Sequence, residues 1–583
     1  MQPVSDSENR QRPKWNMLFT AALLLATSCT TVEESEINPV AEAQAFDILI
    51  DNGLIVDGSG GAPYVGDVAI RDDRIVAVSP EISGSAKRVI DARGLAVAPG
   101  FVNMLSWAAD ALIADGAGES DIRQGITLEV FGEGSSEAPL TDKMAQTDEG
   151  RQGDIRYPIS WRSLDQYFDY IEKRGIAPNV ATFVGATTVR ISELDYADVD
   201  PDAEQLDNMR AVVREAMDDG AMGVGSSLIY APASYAETAE LIALATESAR
   251  CGGMYISHMR NESDNVLEAI DELIEIAGKS GGPAEIYHLK QAGKDNWGKL
   301  DAVIAKIEAA RAKGLRITAN MYNYTAGSTG LDAAMPTWVQ EGGYEQWKKR
   351  LQDPQIRKRV LSEMSGKPDG WENLYYHAGP DKMMLVGFKN DQLKPLTGKT
   401  LAEVAAMRGT SPAETAIDLV IEDGSRVQVV YFLMDEANVA RQTALPWMSF
   451  GSDAAALAPR GIFLKSSTHP RAYGNFARLL GKYVREEKQT SLADAVRRLA
   501  SLPATNLGLK DRGSLAAGYF ADVVIFDPAT IADTATYAEP QQFAIGMHDV
   551  LVNGELVLRD GKMTGARPGR AVRGPGWNKC PPL

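Results

Sequence analysis

Cysteine and histidine are scarce in this chain, with three Cys and five His among 583 residues. Cys29, Cys251 and Cys580 lie far apart and form no CxxC pair, which excludes a disulfide-dense scaffold and leaves few candidates for a metal or nucleophile. Basic charge is also short. Lys plus Arg total 59 against 79 Asp plus Glu, and the resulting charge of −20 repels phosphate backbones, so no nucleic-acid partner is expected. Long apolar runs are missing: MLFTAALLLAT, residues 17–27, would reach only about half of a ~30 Å hydrocarbon core as a helix. No short repeat or low-complexity block is evident after the amino-terminal segment. What remains is a composition of 44% hydrophobic and 24% charged residues, the balance of a soluble globular protein. Disordered, collagen-like and polytopic membrane chains are excluded, and the length exceeds one ordinary domain.

The amino terminus reads as a targeting segment. Residues 1–16 are polar and include Arg10, Arg12 and Lys14; the apolar run and small residues follow, as in a secretory signal. Ala26-Thr27-Ser28-Cys29 is similar to a bacterial lipobox, in which Cys29 would be acylated and become the new N-terminus; the alternative is a plain cleaved signal with an incidental Cys29. Residues 1–29 are thus expected to be a signal peptide and the acidic, small residues 30–45 a tether. The expected location is periplasmic, as a membrane-anchored lipoprotein of a bacterial cell envelope that touches the membrane only through its lipid. An exported protein can pair Cys251 with Cys580, but nothing in the sequence requires it.

Two patterns organise the rest. Residues 46–98 hold short alternating runs punctuated by Gly, Asp and Asn, and residues 508–575 repeat the style in GYFADVVIFDP and HDVLVNGELVLRDGKM. Such pieces at opposite ends of a chain can pair into one small β-sandwich. Between them, eight short apolar runs alternate with amphipathic helical segments such as 203–220, 234–253 and 263–278, the last opening on Ser-Asp cap chemistry. The fold class expected is α/β, a (β/α)8 barrel over residues 99–507 with its active site at the carboxyl ends of the strands. The stretch from 325 to 446 is too long for a loop and contains the charged amphipathic WVQEGGYEQWKKRLQDPQIRKRVLSEM, so a helical insertion is expected over about 332–440.

Several of those runs end in polar residues that a core would not choose. The second ends in Glu133, the fifth in His258, the sixth in His288 with Lys290, and the eighth in Asp453. Two neutral imidazoles and a carboxylate can hold Zn²⁺ with one position open, where a water becomes nucleophilic near neutral pH. Asp453 would then serve as general base and acid. Each residue also has a bland reading: a single strand-end His is usually satisfied by a hydrogen bond, Asp453 in GSD can cap a helix, and Glu133 in FGEG can be a turn carboxylate. Two of only five His at the same end of consecutive strands favour the ligand reading. His469, in THPRAYG, lies in a loop that can reach the mouth; His377 and His548 read as structural.

The order of motifs resembles the amidohydrolase superfamily, and within it the D-aminoacylase (N-acyl-D-amino-acid deacylase) branch. The stretches that carry the resemblance are APGF (98–101), QGIT (124–127), YISHMRNE (255–262), IYHLKQAG (286–293), YTAGST (324–329), FGSD (450–453), HPRAYGNFARLLGKYVRE (469–486) and SLPATNLGLKDRGSLAAGYFADVVIFDP (501–528). The resemblance implies a zinc-dependent barrel flanked by a β-sandwich that hydrolyses the amide of N-acyl-D-amino acids. It matches His258 and His288 to zinc ligands, Asp453 to the catalytic Asp, and Lys290 to a residue gripping the substrate's α-carboxylate. Tyr322 or Tyr324 falls where the family places a tyrosine near substrate, and Arg260 and Arg471 are further candidates for substrate binding. Two departures stand out. The superfamily's first-strand His-x-His is replaced in PGFVNMLSWAAD by Leu105 and Trp107, so one zinc per chain is expected. The bridging cysteine of D-aminoacylases is replaced by Gly134, with Glu133 the nearest substitute ligand.

The expectation is therefore a zinc hydrolase acting on a small N-acyl amino acid. Lactonase, dipeptidase or cyclic-amide hydrolase chemistry with the same atoms is the enzyme alternative, and a non-catalytic envelope lipoprotein is the alternative from another class.

Overall fold

The computed structural model describes residues 46–581; the signal, the tether and Cys29 lie outside the described residues. The first and last parts of that span join in one nine-stranded sheet. The joint is the antiparallel pairing of Ala96–Pro99 with Val523–Phe526, with Ile525 opposite Val97. Phe46–Ile55, Tyr64–Arg71 and Arg74–Ser79 extend the sheet on one side; Met547–Val552, Glu555–Arg559 and Lys562–Met563 extend it on the other. Alternating Ile and Val side chains of both segments, among them Ile50, Val68, Val97, Val523 and Ile525, bury one face together.

Eight parallel strands follow the sequence order anticipated: β1 Phe101–Asn103, β2 Ile126–Phe131, β3 Asn179–Thr182, β4 Gly223–Ser227, β5 Met254–His258, β6 Ala284–Ile286, β7 Ile317–Met321 and β8 Met448–Phe450. Nearly every residue in them is buried, which is why they read as unbroken apolar runs rather than alternating ones. β1, β2 and β3 form one parallel sheet. β4 to β8 form another, which Val184–Gly185 joins at the β4 edge. The edges of the two sheets are hydrogen bonded: Met104 N–H donates to Phe450 O at 3.1 Å, and Met222 N–H donates to Thr182 O at 2.9 Å.

Helices Ala203–Asp219, Thr238–Arg250, Val266–Ser280 and Leu300–Ala312 connect β3 through β7. In Val266–Ser280 the buried residues Val266, Ala269, Ile270, Leu273, Ile276 and Ala277 recur at three-four spacing. Each large aliphatic on that stripe contributes about 1.5–3 kcal/mol through burial. This helix begins three residues later than its Ser-Asp signal suggests. Asn261 Oδ1 accepts the N–H groups of Ser263 and Asn265 at 2.9 and 2.8 Å, holding the cap residues in a turn.

The insertion is not purely helical. Helices Tyr344–Gln352, Pro354–Ser365, Leu401–Arg408 and Pro412–Asp423 pack with a three-stranded antiparallel sheet of Ala326–Gly330, Met383–Gly387 and Gln428–Phe432. The strands MMLVG and QVVYF are the insertion's aliphatic and β-branched runs, and they line a core shared with Trp347, Leu351, Val360 and Ile417. Cys251 and Cys580 are joined in a disulfide that ties the carboxyl-terminal tail to the end of helix Thr238–Arg250.

Below the strand ends lies a fully buried polar cluster. Asn103 in β1 donates to Glu129 of β2 at 2.9 Å and accepts the Ser452 N–H at 2.7 Å, so β1, β2 and the residues after β8 are bolted together beside Asp453. Burial raises Glu129 from its ordinary 4.5 to about 7, against hydrogen bonds from Asp121, Ser106 and Asn103. Asp121, equally buried and facing Glu129, is pushed well above the carboxylate range and holds a proton towards it. Between about pH 4.5 and 7 the folded protein keeps a proton on Glu129 that the unfolded chain has lost. This stabilisation is complete below pH 4.5 and disappears as pH rises through 7, a change of roughly 3 kcal/mol or slightly more. In Glu129→Gln, thermal unfolding at about pH 5 and about pH 8 is expected to give a smaller stability difference than in wild type. An unchanged difference would show that Glu129 holds no such proton.

Candidate metal and hydrolytic site

Glu133 follows β2 through a Gly132-Glu133-Gly134 turn. Both glycines have positive φ, +101° and +74°. A Cβ at Gly134 would lie 1.9 Å from Ser227 Oγ, so this position has no room for a side chain. Glu133 projects into the site instead. Its Oε1 lies 2.9 Å from His258 Nδ1 and 2.9 Å from His288 Nε2.

His258 closes β5 and His288 stands two residues beyond β6, so strand pairing brings two residues thirty apart in sequence to adjacent positions. Their rings meet edge to face with centroids 4.4 Å apart. His288 has a positive φ of 34°, an uncommon conformation for a residue with a side chain, and its N–H is held by Asn320 Oδ1 at 2.9 Å. All three side chains are buried, and their ligand atoms lie within 4.8 Å of one another.

Behind the imidazoles stands Glu262. Its Oε1 is 3.0 Å from His288 Nδ1, and its Oε2 is 3.5 Å from the buried His258 Nε2, which has no hydrogen bond of its own. Both carboxylates are held below their usual range. Burial alone would raise Glu133, but His288 and His258 outweigh it; burial would raise Glu262, but Lys290 and the two histidines outweigh that. His288 is pushed the other way, to about 9: burial and Lys290 lower it, and Glu262 and Glu133 more than offset them. Two buried anions surrounding two imidazoles form a pocket prepared for positive charge, and two nitrogens with one carboxylate oxygen suit Zn²⁺. The residues fit a divalent ion.

Asp453, three residues past β8, faces this group across a cavity of about 560 Å³ lined also by Trp107, Lys290, Tyr322, Arg471 and Tyr230. Its Oδ2 pairs with Arg471 Nη2 at 2.9 Å and its Oδ1 accepts the Trp107 indole N–H at 3.1 Å. Burial raises Asp453 above the ordinary carboxylate value; Arg471 opposes that, and the Glu133 charge adds to it.

The remaining candidates divide. Arg471 is 2% exposed, with its guanidinium 4.3 Å from the Tyr322 ring centroid, and its Nε and Nη1 have no hydrogen-bond partner. Lys290 reaches the cavity but is already engaged: its Nζ lies 2.7 and 2.8 Å from the Glu262 oxygens and 2.7 Å from His288 Nδ1. Tyr322 lines the cavity, whereas Tyr324 hydrogen bonds Asp533 at 3.2 Å and meets the His469 ring edge to face. Arg260 does not line the cavity. Its guanidinium is locked on Glu272 at 2.9 Å and on the carbonyls of Ser234 and Ala236, away from the cavity, because Glu272 on the following helix presents a matching fork. His469 reaches the cavity wall, but both nitrogens are used: Nδ1 accepts the Arg471 N–H and Nε2 donates to Ala326 O, each at 2.9 Å. It is a neutral brace for Arg471.

Residues 88–558 match the Amidohydrolase family. The chain belongs to that family. As a member it is a hydrolytic enzyme, and its α/β fold is that of solved amidohydrolases. A D-aminoacylase of Alcaligenes xylosoxydans xylosoxydans is 32% identical over 538 residues, 91% of this chain and 98% of that protein. A D-aminoacylase structure described by its binuclear metal centre, with one-metal activation and second-metal attenuation, superposes with a TM-score of 0.74 at 31% identity, covering 91% of this chain and all of that one. The N-acyl-D-glutamate deacylase of Bordetella bronchiseptica, solved with zinc and a phosphonate mimic of the tetrahedral intermediate, matches with the same TM-score at 29% identity and the same coverage. Against this family, the residues that sequence reasoning missed are Glu262 and Trp107 as site members. The local signals were Glu262 four residues after His258 and Trp107 at the His-x-His position.

Proposed function

We propose that the protein is a mononuclear zinc hydrolase that cleaves the amide bond of N-acyl-D-amino acids. The observation that carries this is the meeting of Glu133, His258 and His288 on one side of a cavity whose opposite side holds Asp453 paired with Arg471. A zinc ion held by the three ligands supplies Lewis acidity towards the scissile carbonyl and the attacking water.

The protein's own groups do the rest. Asp453, with its proton affinity raised by burial, takes a proton from the water as its oxygen bonds to the carbonyl carbon. It then delivers that proton to the nitrogen as the C–N bond breaks, releasing a carboxylic acid and a free amino acid. Arg471, which lines the cavity, binds the substrate's α-carboxylate, and Tyr322 packs beneath that guanidinium. Lys290, tied to Glu262, contributes positive charge to the wall and holds Glu262 against the histidines. Glu262 in turn fixes the ring orientation of both ligands.

The scaffold of this reading is a single (β/α)8 barrel over residues 99–507, with a β-sandwich from residues 46–98 and 508–575 and an insertion over about 332–440. The hydrogen bonds between the edges of the two parallel sheets support the closed barrel. Residues 1–29 serve as the export signal and Cys29 as the lipid anchor of a periplasmic enzyme. The Cys251–Cys580 pair supports this, because disulfides persist in oxidising compartments.

The test is release of free amine from a panel of N-acetyl-D- and N-acetyl-L-amino acids by zinc-loaded protein. Turnover of D substrates in preference to L is expected. Inactivity on the whole D panel alongside hydrolysis of lactones, dipeptides or cyclic amides would replace the proposal with one of those activities.

A further inference from the structure

Trp107 sits where a metal ligand would stand in the superfamily pattern, in the loop directly after β1, and it is 48% exposed at the cavity wall. An exposed indole at a catalytic rim needs a reason, and its bonds supply one. The Trp107 backbone N–H donates to Ala454 O at 3.0 Å, and its indole N–H donates to Asp453 Oδ1 at 3.1 Å. The Asp453 N–H in turn donates to Leu105 O at 2.8 Å. The segments after β1 and β8 are therefore laced together around a carboxylate whose backbone is in the left-handed region, with φ of 49°. Arg471 holds the second oxygen, Oδ2. Each carboxylate oxygen is thus engaged by one donor from a different segment, which fixes the plane of the group.

We propose that Trp107 is a positioning residue for Asp453. Its indole N–H, paired with the Arg471 guanidinium, clamps the carboxylate in the orientation that takes the proton from water. The donor is suited to the task because an indole neither titrates nor carries charge. It orients the carboxylate without adding a second cation that would weaken it as a base. The inference rests on the reading of Asp453 as the proton-transfer group.

Three variants of the full chain test it: Trp107→Phe, which keeps an aromatic ring and removes the N–H; Trp107→Gln, which restores a donor without the ring; and Asp453→Asn. Trp107→Phe is expected to lower kcat about 10- to 100-fold with KM changed less than about threefold and zinc content unchanged, and Trp107→Gln to recover a large part of the loss. A spectroscopic readout needs no turnover: among the indole N–H resonances of the nine Trp residues, the one missing in Trp107→Phe should shift in Asp453→Asn. Wild-type kcat in Trp107→Phe, a loss that Gln makes worse, or an indole resonance indifferent to Asp453→Asn would each overturn the proposal. If Asp453→Asn itself keeps full turnover, the underlying reading falls and this one with it. If Asp453→Asn is inactive and Trp107→Phe is not impaired, only the clamp is lost.

Discussion

His258→Ala and His288→Ala are each expected to reduce zinc content from about one ion per chain to near zero and to abolish measurable turnover. Three buried ligands leave a fourth position open for chemistry, so removing one leaves only two protein bonds, below what zinc sites use. The remaining Glu133 cannot compensate, because its Oε1 is held at 2.9 Å from both imidazoles and the Gly132-Glu133-Gly134 turn allows little movement. Loss of the ion removes the Lewis acid and with it about three or more orders of magnitude in rate. His288→Ala also strips one cationic partner from a buried carboxylate pair, so a fall in thermal stability is expected in metal-free protein. Elemental analysis of folded variants purified without chelator decides the matter. Stoichiometric zinc in His258→Ala would remove that residue from the ligand set.

Asp453→Asn is expected to behave in the opposite way towards metal, keeping about one zinc per chain while kcat falls about 10²- to 10⁴-fold. The amide preserves the shape, and its one oxygen can accept from either Trp107 or Arg471 but not both, so metal binding should change far less than the chemical step. What it loses is the capacity to carry a proton between water and the leaving nitrogen. The pair of results separates binding from proton transfer: histidine variants lose both metal and activity, the aspartate variant only activity. Zinc lost from Asp453→Asn would make Asp453 a ligand rather than a base, and unaltered turnover would remove it from the mechanism.

Much of this was legible along the chain. Strands buried on both faces read as apolar runs, and the first polar residue after each run marks the strand end, which is how Glu133, His258, His288 and Asp453 stood out. Pairing of the two terminal β segments was legible for the same reason, since each carries an alternating face that has to be covered. The sheet inside the insertion was harder to read, because its strands are short runs between helices that periodicity alone does not separate from helical turns.

Local pattern and residue type were enough for the family, the strand order and the short list of chemical groups, because those follow from periodicity and from what each side chain can bind. Folding decided which member of each near-equivalent pair does the work. Tyr322 faces the cavity and Tyr324 does not; Arg471 keeps free donors, while Arg260 is locked on Glu272 and Lys290 on Glu262. Those choices depend on side-chain direction and on partners as distant as the 346 residues between Trp107 and Asp453 or the 329 between Cys251 and Cys580. No local rule encodes such distances, since they come into being only when the strands assemble around a common core.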